Sequence, residues 1–490
     1  MENLALNAKK KFTMDTFFSN VKISTEAVIS KVLSANAKST IINTDIQNGV
    51  ASLSGKLAVQ VVYLTAENTI ASAETVYDYV EKQKFEYNMI DSFGIDDAVI
   101  ESTNATGNEV MVSVKHNAVI LGTYSYEIPK EFAGEGDIVS KTTNFKVNKI
   151  VASANDNFSV SEETLISQKD VKILNVVSQV VLNEVSCTVD KIILDGKILA
   201  EVEYLSENEL VSLNKDFDFR QEIAAQGVVP NNFASAKCDV KAVTISPVEN
   251  DDKTTLGFGF EVMANVCAYE EENLEICADL FSLKNELNIA YDYVDQKGFA
   301  SSTFYSDSVL SQTDISEVQD FEDIVSVFNP NAKVVDVQNL GNKAVVVAEV
   351  TASAIYKTKD SYNVIDVKAE TKYEFAKEVN QDILSASAGA MINSFKVKAG
   401  KELEVIFKLG YTLEFGKNEN VRYVKNIEVL KEKDTDFGGI RVYITRSGET
   451  IFDVAKVLNV KPETITSQNE VVDGFEQGEK IYVYSPINLI

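Results

Sequence analysis

The sequence predicts a mainly β protein. We expect three tandem antiparallel domains, each a sandwich or a barrel, followed by a small module with the order strand, helix, helix, strand. The stretch Gly55–Leu64 (GKLAVQVVYL) returns at Gly196–Leu205 as GKILAEVEYL, and a more diverged copy spans Val350–Tyr356. An aromatic–acid–aromatic triplet follows each copy: Tyr77-Asp78-Tyr79, Phe217-Asp218-Phe219 and Tyr373-Glu374-Phe375. The pattern changes after Lys431–Gly439 (KEKDTDFGG), whose charges and final glycines are typical of a linker.

Alternation of side chains identifies the repeated stretch as a half-buried strand. The apolar face of the three copies comprises Leu57, Val59, Val61 and Tyr63; Ile198, Ala200, Val202 and Tyr204; and Val350, Ala352, Ala354 and Tyr356. Further alternating runs follow at Val110–Leu121, Leu256–Val266 and Leu403–Leu413. Short strands divided by polar loops predict antiparallel sheets, and the pattern does not distinguish a sandwich from a barrel.

Lead-in segments set the domain boundaries. Phe158–Ser167 and Phe304–Ser311 precede the second and third copies. The predicted domains are residues 1–145, 146–295 and 296–432, with the C-terminal module at 440–486. Short helices are expected in the lead-ins. Ser316–Phe328 is the best candidate, because its apolar residues recur at helical spacing and Asn329-Pro330 would end the helix.

The charge of the chain bears on its partners. A net charge of −28 and a pI near 4.5 argue against DNA, RNA and anionic membrane surfaces, which need clustered Lys and Arg. The first residues lack the uninterrupted apolar core of a secretory signal, and no apolar run is long enough to cross a bilayer. We therefore expect the chain to stay in the cytosol.

Residues that could carry catalysis are few. His116 is the one histidine, with Ser113 nearby, and we expect it on a solvent-facing or half-buried strand face. Acidic runs such as Asp96-Asp97, Asp251-Asp252 and Glu270-Glu271-Glu272 are interpreted as solvated loop charges. The sequence therefore predicts no enzyme, no catalytic residue, no cofactor and no metal site.

Four cysteines are too few for a disulfide framework in a chain of 490 residues. We expect four free, mostly buried thiols at Cys187, Cys238, Cys267 and Cys277. The alternative is a cross-link or a metal site, with Cys267 and Cys277 facing each other across a hairpin.

The C-terminal module has the clearest local signals. RVYIT at 441–445 is predicted to be a strand with Val442 and Ile444 pointing inward. Thr450 and Asp453 have capping-box spacing and should start a helix. Pro462 suits the first position of a second short helix, which ends near Asn469, and Lys480–Tyr484 closes the module as a strand.

This module resembles the LysM family. The residues that match its pattern are Tyr443, Gly448-Glu449-Thr450-Ile451, Val454-Ala455, Ile465, Asn469, Gly478 and Ile481-Tyr482-Val483. LysM modules bind N-acetylglucosamine polymers such as peptidoglycan between two loops. Carried over by position, the resemblance implies a binding site of Ser447, Gly448, Glu449, Thr450, Ile451, Asn469, Glu470, Val471 and Val472. The alternative is that Gly448, Thr450 and Asn469 serve only as turn and cap residues.

With the tandem β repeats in front of it, the whole chain resembles spore-coat morphogenetic proteins of the SipL type, which are built from SPOCS domains. The resemblance implies a protein made in the mother-cell cytosol that localises at the forespore surface. It also implies that the LysM tail docks onto the ATPase that polymerises as the basement layer of the coat.

Two functions follow from these resemblances. The first is a non-enzymatic adaptor of coat assembly, whose repeats contact other coat proteins and whose tail docks onto the coat ATPase. The alternative is a cell-wall protein that binds peptidoglycan or a chitin-like glycan. Self-association of the chain stays open in both.

Overall fold

The computed structural model describes residues 3–485 except 86–88, 90, 130–131, 133–136, 208, 251–252, 360, 379–380, 399–400, 434–437 and 471–473. The predicted mainly β class is confirmed, since antiparallel strands make up nearly all regular structure. None of the helices in these ranges is long and apolar enough to span a bilayer. Asp251-Asp252, part of the predicted linker, Val471 and Val472 lie outside the described residues.

Three successive groups of strands repeat one plan, and we name them units 1, 2 and 3. Unit 1 comprises β1 (Asn3–Thr13), β2 (Phe17–Ser24), β3 (Ile29–Gln47), β4 (Val50–Thr65), β5 (Ile70–Lys84), β6 (Asp91–Thr106) and β7 (Glu109–Pro129). Unit 2 comprises β8 (Ile138–Ile166), β9 (Lys172–Thr188), β10 (Lys191–Ser206), β11 (Glu209–Ala224), β12 (Phe233–Asn250) and β13 (Lys253–Ser282). Unit 3 comprises β14 (Asn285–Asp314), β15 (Phe321–Leu340), β16 (Lys343–Thr358), β17 (Tyr362–Ala376), β18 (Asp382–Lys398) and β19 (Glu402–Glu432).

Each unit has two sheets. The central strands form a three-stranded meander, β3-β4-β5, β9-β10-β11 or β15-β16-β17. In the second sheet the last strand, β7, β13 or β19, lies between the preceding strand and the lead-in strand. A separate buried cluster fills the space between the two sheets of each unit. Two separate sheets around one core make each unit a sandwich rather than a closed barrel.

The repeated motif lies at the centre of each meander and has a packing reason in units 1 and 2. Gly55 pairs with Tyr79, and Gly196 pairs with Phe219 on the neighbouring strand. A Cβ at Gly55 would lie 2.6 Å from the Tyr79 hydroxyl, and one at Gly196 would lie 2.9 Å from the Phe219 ring. The glycine therefore leaves room for the last aromatic ring of the triplet, which explains why the two features recur together.

The helix predicted for Ser316–Phe328 is wrong. A turn leads into β15, which begins at Phe321 and pairs with β16. Register shifts occur after Phe321 and after Ile324. Each shift moves the following side chains to the other face, so apolar residues recur three or four apart as they would on a helix. The other lead-ins are also strands, because 158–166 belongs to β8 and 304–311 to β14.

The outward faces of the three meanders meet in a cluster that we name the three-sheet junction. Its buried members are Leu33, Val62, Leu64, Leu174, Leu210, Phe328 and Ile355. Phe328 is 1% exposed and Ile355 is fully buried. The meander sheets therefore bury one face inside the sandwich and part of the other face against the other units. The predicted boundaries at 145 and 295 fall within β8 and β14, and the division into domains stays a prediction.

The four cysteines are thiols and form no disulfide, as predicted. Cys267 and Cys277 lie on the same strand, β13, so the alternative that they face each other across a hairpin is wrong. Burial raises the pKa of the Cys277 thiol to about 11. These thiols are packing residues.

Candidate functional site

The C-terminal module consists of β20 (Gly439–Ile444), α1 (Ile451–Leu458), α2 (Pro462–Gln468) and β21 (Lys480–Ser485). This is the predicted element order. The Thr450 side chain accepts from the Asp453 backbone N–H while the Asp453 side chain accepts from the Thr450 backbone N–H, which completes the capping box that the spacing indicated. Pro462 opens α2.

The first of the two loops that the LysM resemblance singled out lies beside Phe475, which follows the second loop along the chain. The Gly448 N–H donates to the Phe475 carbonyl at 3.1 Å, and the Phe475 N–H donates to the Glu449 carbonyl at 2.9 Å. Ser447, Gly448 and Glu470 are exposed, whereas Ile451 packs at the edge of the module core. Val471 and Val472 lie outside the described residues, so this part of the predicted site stays a prediction.

Several of the predicted site side chains already have partners. Glu449 accepts from the Tyr443 hydroxyl and from the Arg446 N–H, both at 2.7 Å. The Asn469 amide pairs with both backbone groups of Tyr482, at 2.7 and 2.8 Å. With Thr450 capping α1, the polar groups of this site hold the module together. Of the residues in the turn-and-cap alternative, Gly448 has a positive φ in a turn, and Thr450 and Asn469 cap α1 and α2. Ligand binding by these loops stays a prediction.

The predicted direction of the first strand is wrong. Val442 and Ile444 point outward and are 53% and 62% exposed. Tyr443 points inward instead, because its ring joins the module core and its hydroxyl reaches Glu449. The Arg441 guanidinium donates to the Leu458 carbonyl at the end of α1. Long amphipathic side chains thus fill the inner positions, and short aliphatic ones are left outside.

The result is an exposed apolar sheet face, which we name the outer face. Its members are Ile440, Val442, Ile444, Tyr482 and Tyr484. Ile440 pairs with Tyr484 and Val442 with Tyr482, so these side chains form one contiguous surface. Lys480 is the one charged residue on it, opposite Ile444. Side chains of both strands alternate between the two faces of the sheet. The tyrosines at 482 and 484, two residues apart, are the sequence signal that could have revealed this face.

The edges of the two strands differ. The Gln468 amide pairs with both backbone groups of Tyr484, at 2.7 and 3.2 Å, and the Asn469 amide does the same for Tyr482. These side chains close the free edge of β21. Within the described ranges, β20 pairs with no strand other than β21. An unclosed edge beside an apolar face is suited to contact with another protein.

The helical side of the module packs on unit 2. Lys456 Nζ lies 2.7 Å from both carboxylate oxygens of Asp279 at the end of β13. The Asn459 amide donates to the Leu283 carbonyl at 2.8 Å, and the Phe452 and Phe281 rings are 5.4 Å apart. Burial favours a raised pKa for Asp279, but hydrogen bonds from Lys456 and Tyr291 bring the pKa below its usual value. The module is thus fixed to the body by α1, and its outer face stays exposed.

A second polar cluster lies in the core of unit 1, and it corrects two expectations. His116 is fully buried, with Nδ1 2.6 Å from Asp96 Oδ2 and Nε2 3.0 Å from Ser19 Oγ. The Asp96 side chain is also fully buried rather than a solvated loop charge. The connectivity is that of a Ser-His-Asp triad. Ser19 is only 5% exposed and Phe17 stacks on the imidazole at 4.4 Å, so substrate has no access to the hydroxyl.

The cluster therefore joins the two sheets of unit 1, because Tyr79 of β5 also donates to Asp96 at 3.2 Å. Burial is the main cause that raises the pKa of Tyr79. Among the described residues, no three His, Cys, Asp or Glu side chains converge as metal ligands.

Comparison with known proteins supplies one further finding. Residues 171–248 match the family model described as SipL, SPOCS domain. This stretch covers the meander of unit 2 and most of β12. No curated protein and no solved structure matches the chain. The family match supports a SipL-like protein associated with the spore coat.

Proposed function

We propose that the chain is a non-enzymatic adaptor of spore coat assembly. In this proposal, the C-terminal module is a LysM domain that docks onto the coat basement-layer ATPase at the forespore surface, on the mother-cell side. The three units present β surfaces to other coat components. The match of unit 2 to the SPOCS family supports the association with the coat.

The outer face is the observation that carries the docking role. Ile440, Val442 and Ile444 are 70%, 53% and 62% exposed, beside two exposed tyrosines. Aliphatic groups gain free energy when another apolar surface removes them from water. A glycan is bound largely through hydrogen bonds, and the side chains of Glu449, Thr450 and Asn469, three of the predicted glycan-binding residues, already bond within the module. The outer face therefore favours a protein partner over peptidoglycan.

The arrangement also suits an adaptor. Contacts from several units on one chain reinforce each other through effective concentration, even when each is weak. Because α1 holds the module against unit 2, a partner on the outer face is placed at a fixed position relative to the units.

Binding by the full chain to purified coat ATPase and to purified peptidoglycan tests the proposal. We expect retention by the ATPase and little by peptidoglycan. The double substitution V442D/I444D should abolish retention by the ATPase, because charge on the outer face opposes its burial. Val457→Asp is the matched control, since Val457 is 62% exposed on α1 of the same module.

The alternative function has its own expected result. If peptidoglycan retains the chain and the ATPase does not, the protein is a cell-wall protein that binds N-acetylglucosamine polymers. In that case the substitution of exposed Glu470 should weaken retention and V442D/I444D should not.

A further inference from the structure

The hydrogen bonds at the edge of β21 show which way its backbone groups point. The N–H groups of Tyr482 and Tyr484 donate to the side-chain oxygens of Asn469 and Gln468, at 2.8 and 2.7 Å. The carbonyls of the same two tyrosines accept from the two side-chain amides, at 2.7 and 3.2 Å. The backbone groups of both tyrosines therefore point away from β20.

This arrangement determines the direction of the backbone groups on β20. In an antiparallel pair, residues directly opposite each other either exchange both hydrogen bonds or point their backbone groups away from the partner strand. The two tyrosines lie opposite Ile440 and Val442, so both pairs are of the second kind. Thr445 donates to the Glu479 carbonyl across the sheet at 3.0 Å, which agrees with this alternation. The N–H and C=O groups of Ile440, Val442 and Ile444 thus point out of the free edge of β20.

That edge has none of the usual protection against pairing. Among the described residues, β20 pairs only with β21, and no hydrogen bond outside this ladder reaches the backbone of Ile440, Val442 or Ile444. The ladder has no bulge and β20 has no proline. The one charged side chain of the strand, Arg441, turns inward to the end of α1. Sheets usually protect an open edge with outward charges, proline or a bulge. The module therefore closes one edge of its sheet with side chains and leaves the other open.

The open edge and the outer face belong to the same three residues. The side chains of Ile440, Val442 and Ile444 are 70%, 53% and 62% exposed. A strand added beside β20 would hydrogen-bond to their backbone groups and place its alternate side chains next to theirs, about 5 Å away. In such strand addition, backbone hydrogen bonds supply affinity and the alternate side chains supply specificity.

We propose that the docking partner adds an extended segment of its own as a third strand at the free edge of β20, with apolar side chains at alternate positions on the outer face. This rests on the docking role proposed above for that face. Lys480 lies opposite Ile444 at one end of the face, which favours an acidic residue at the corresponding end of the segment. Two copies of this chain, each with a net charge of −28, repel each other, which favours a strand from a different protein.

Residue-resolved hydrogen exchange of the full chain, with and without purified coat ATPase, tests the added strand directly. The amides of Ile440, Val442 and Ile444 should exchange rapidly in the free chain and more than about tenfold more slowly in the complex. Tyr482 and Tyr484 should gain less, because their N–H groups already donate to side chains. Equal gains at all five positions, or no gain at the three β20 positions, would overturn the proposal.

A proline substitution tests the backbone contact separately from the apolar contact. Val442→Pro removes the outward N–H but keeps an apolar side chain of similar size, and it should melt near the wild type because an edge strand tolerates proline where its N–H faces solvent. Val442→Ala is the matched control, since it keeps the N–H and loses apolar surface. Val442→Pro should bind the ATPase about tenfold more weakly than Val442→Ala, because an acceptor on the added strand is left unpaired. Apolar docking alone predicts that Val442→Pro binds at least as well as Val442→Ala.

The outcomes distinguish failure of the added strand from failure of the docking role. A wild-type chain that the ATPase does not retain would overturn both. Retention that V442D/I444D abolishes, but that is equal in Val442→Pro and Val442→Ala, would overturn only the added strand. Light scattering tests the second copy as occupant: we expect a monomer, and a dimer that Val442→Pro dissociates would assign the edge to self-association and overturn the proposal.

Discussion

The outward faces of β10 and of β20 make an instructive contrast. On β10, that face includes Leu199, Glu201 and Glu203, and all three are at most 6% exposed. On β20, it consists of Ile440, Val442 and Ile444, and all three are at least 53% exposed. Carboxyl groups are thus buried where the chain supplies its own partner sheet, and apolar groups are exposed where it supplies none. The outer face of the module is therefore the surface on which we propose that a partner docks.

The largest expected effect compares one large residue from each surface. Phe328→Ala should cost about 3–5 kcal/mol in the free energy of unfolding, because Phe328 fills the three-sheet junction. Ile444→Ala should cost less than about 0.5 kcal/mol, because Ile444 is already in water. Urea unfolding of the full chain measures both. Equal losses would mean that the outer face is buried in the free protein.

A second substitution tests the inward face of β10. Gly196→Ala should cost about 1–3 kcal/mol, because its Cβ would lie 2.7 Å from the Val181 carbonyl and 2.9 Å from the Phe219 ring. Gly257→Ala on β13 is the control, since the closest atom to its Cβ would be 3.6 Å away. Thermal unfolding should separate the two variants. Similar melting temperatures would show that the repeated glycine has no packing role.

The attachment of the module should depend on pH. The pKa of Asp279 is lowered in the folded chain, so its contact with Lys456 stabilises the protein above the unfolded value of 3.8 and is lost as pH falls through the folded value. At neutral pH, Asp279→Asn should cost about 1–2 kcal/mol. The difference in unfolding free energy between wild type and variant should shrink as the pH falls through the folded pKa of Asp279. A difference that stays constant into acid would rule out this contact.

The smallest expected effect concerns the cap of α1. Thr450→Ala should cost about 1 kcal/mol, because the Asp453 N–H loses its acceptor and the Lys141 ammonium loses a contact at 3.2 Å. Thr450→Ser, which keeps the hydroxyl, should be close to wild type.

Thr450→Ala also tests the LysM resemblance. It should leave binding to the coat ATPase unchanged if the outer face is the docking surface. A loss of binding without a loss of stability would point to the loops instead.

The strands and the helix start that depend only on residues close in the sequence were predicted from local signals. Alternation identified β4, β10 and β16, and the spacing of Thr450 and Asp453 identified the start of α1. These features follow from strand pleat and helix capping, which are determined within a few residues.

Non-local packing decided the rest. The bulges of β15 gave its apolar residues a helical spacing, and the inward turn of Tyr443 reversed the expected face of β20. The sequence presents Asp96 as a loop charge, because His116 and Tyr79, which contact its carboxylate, lie on other strands. The burial of Glu201 and Glu203 requires a second unit. Sequence alone does not specify which strands will meet, so these contacts required the fold.

The most direct test of the adaptor account is hydrogen exchange of the full chain with and without purified coat ATPase. If the outer face docks onto the ATPase, we expect protection of backbone amides at 440–444 and 480–484, which form the strands of the outer face. Protection confined to 447–451 and 469–470, or no protection anywhere in the module, would contradict it.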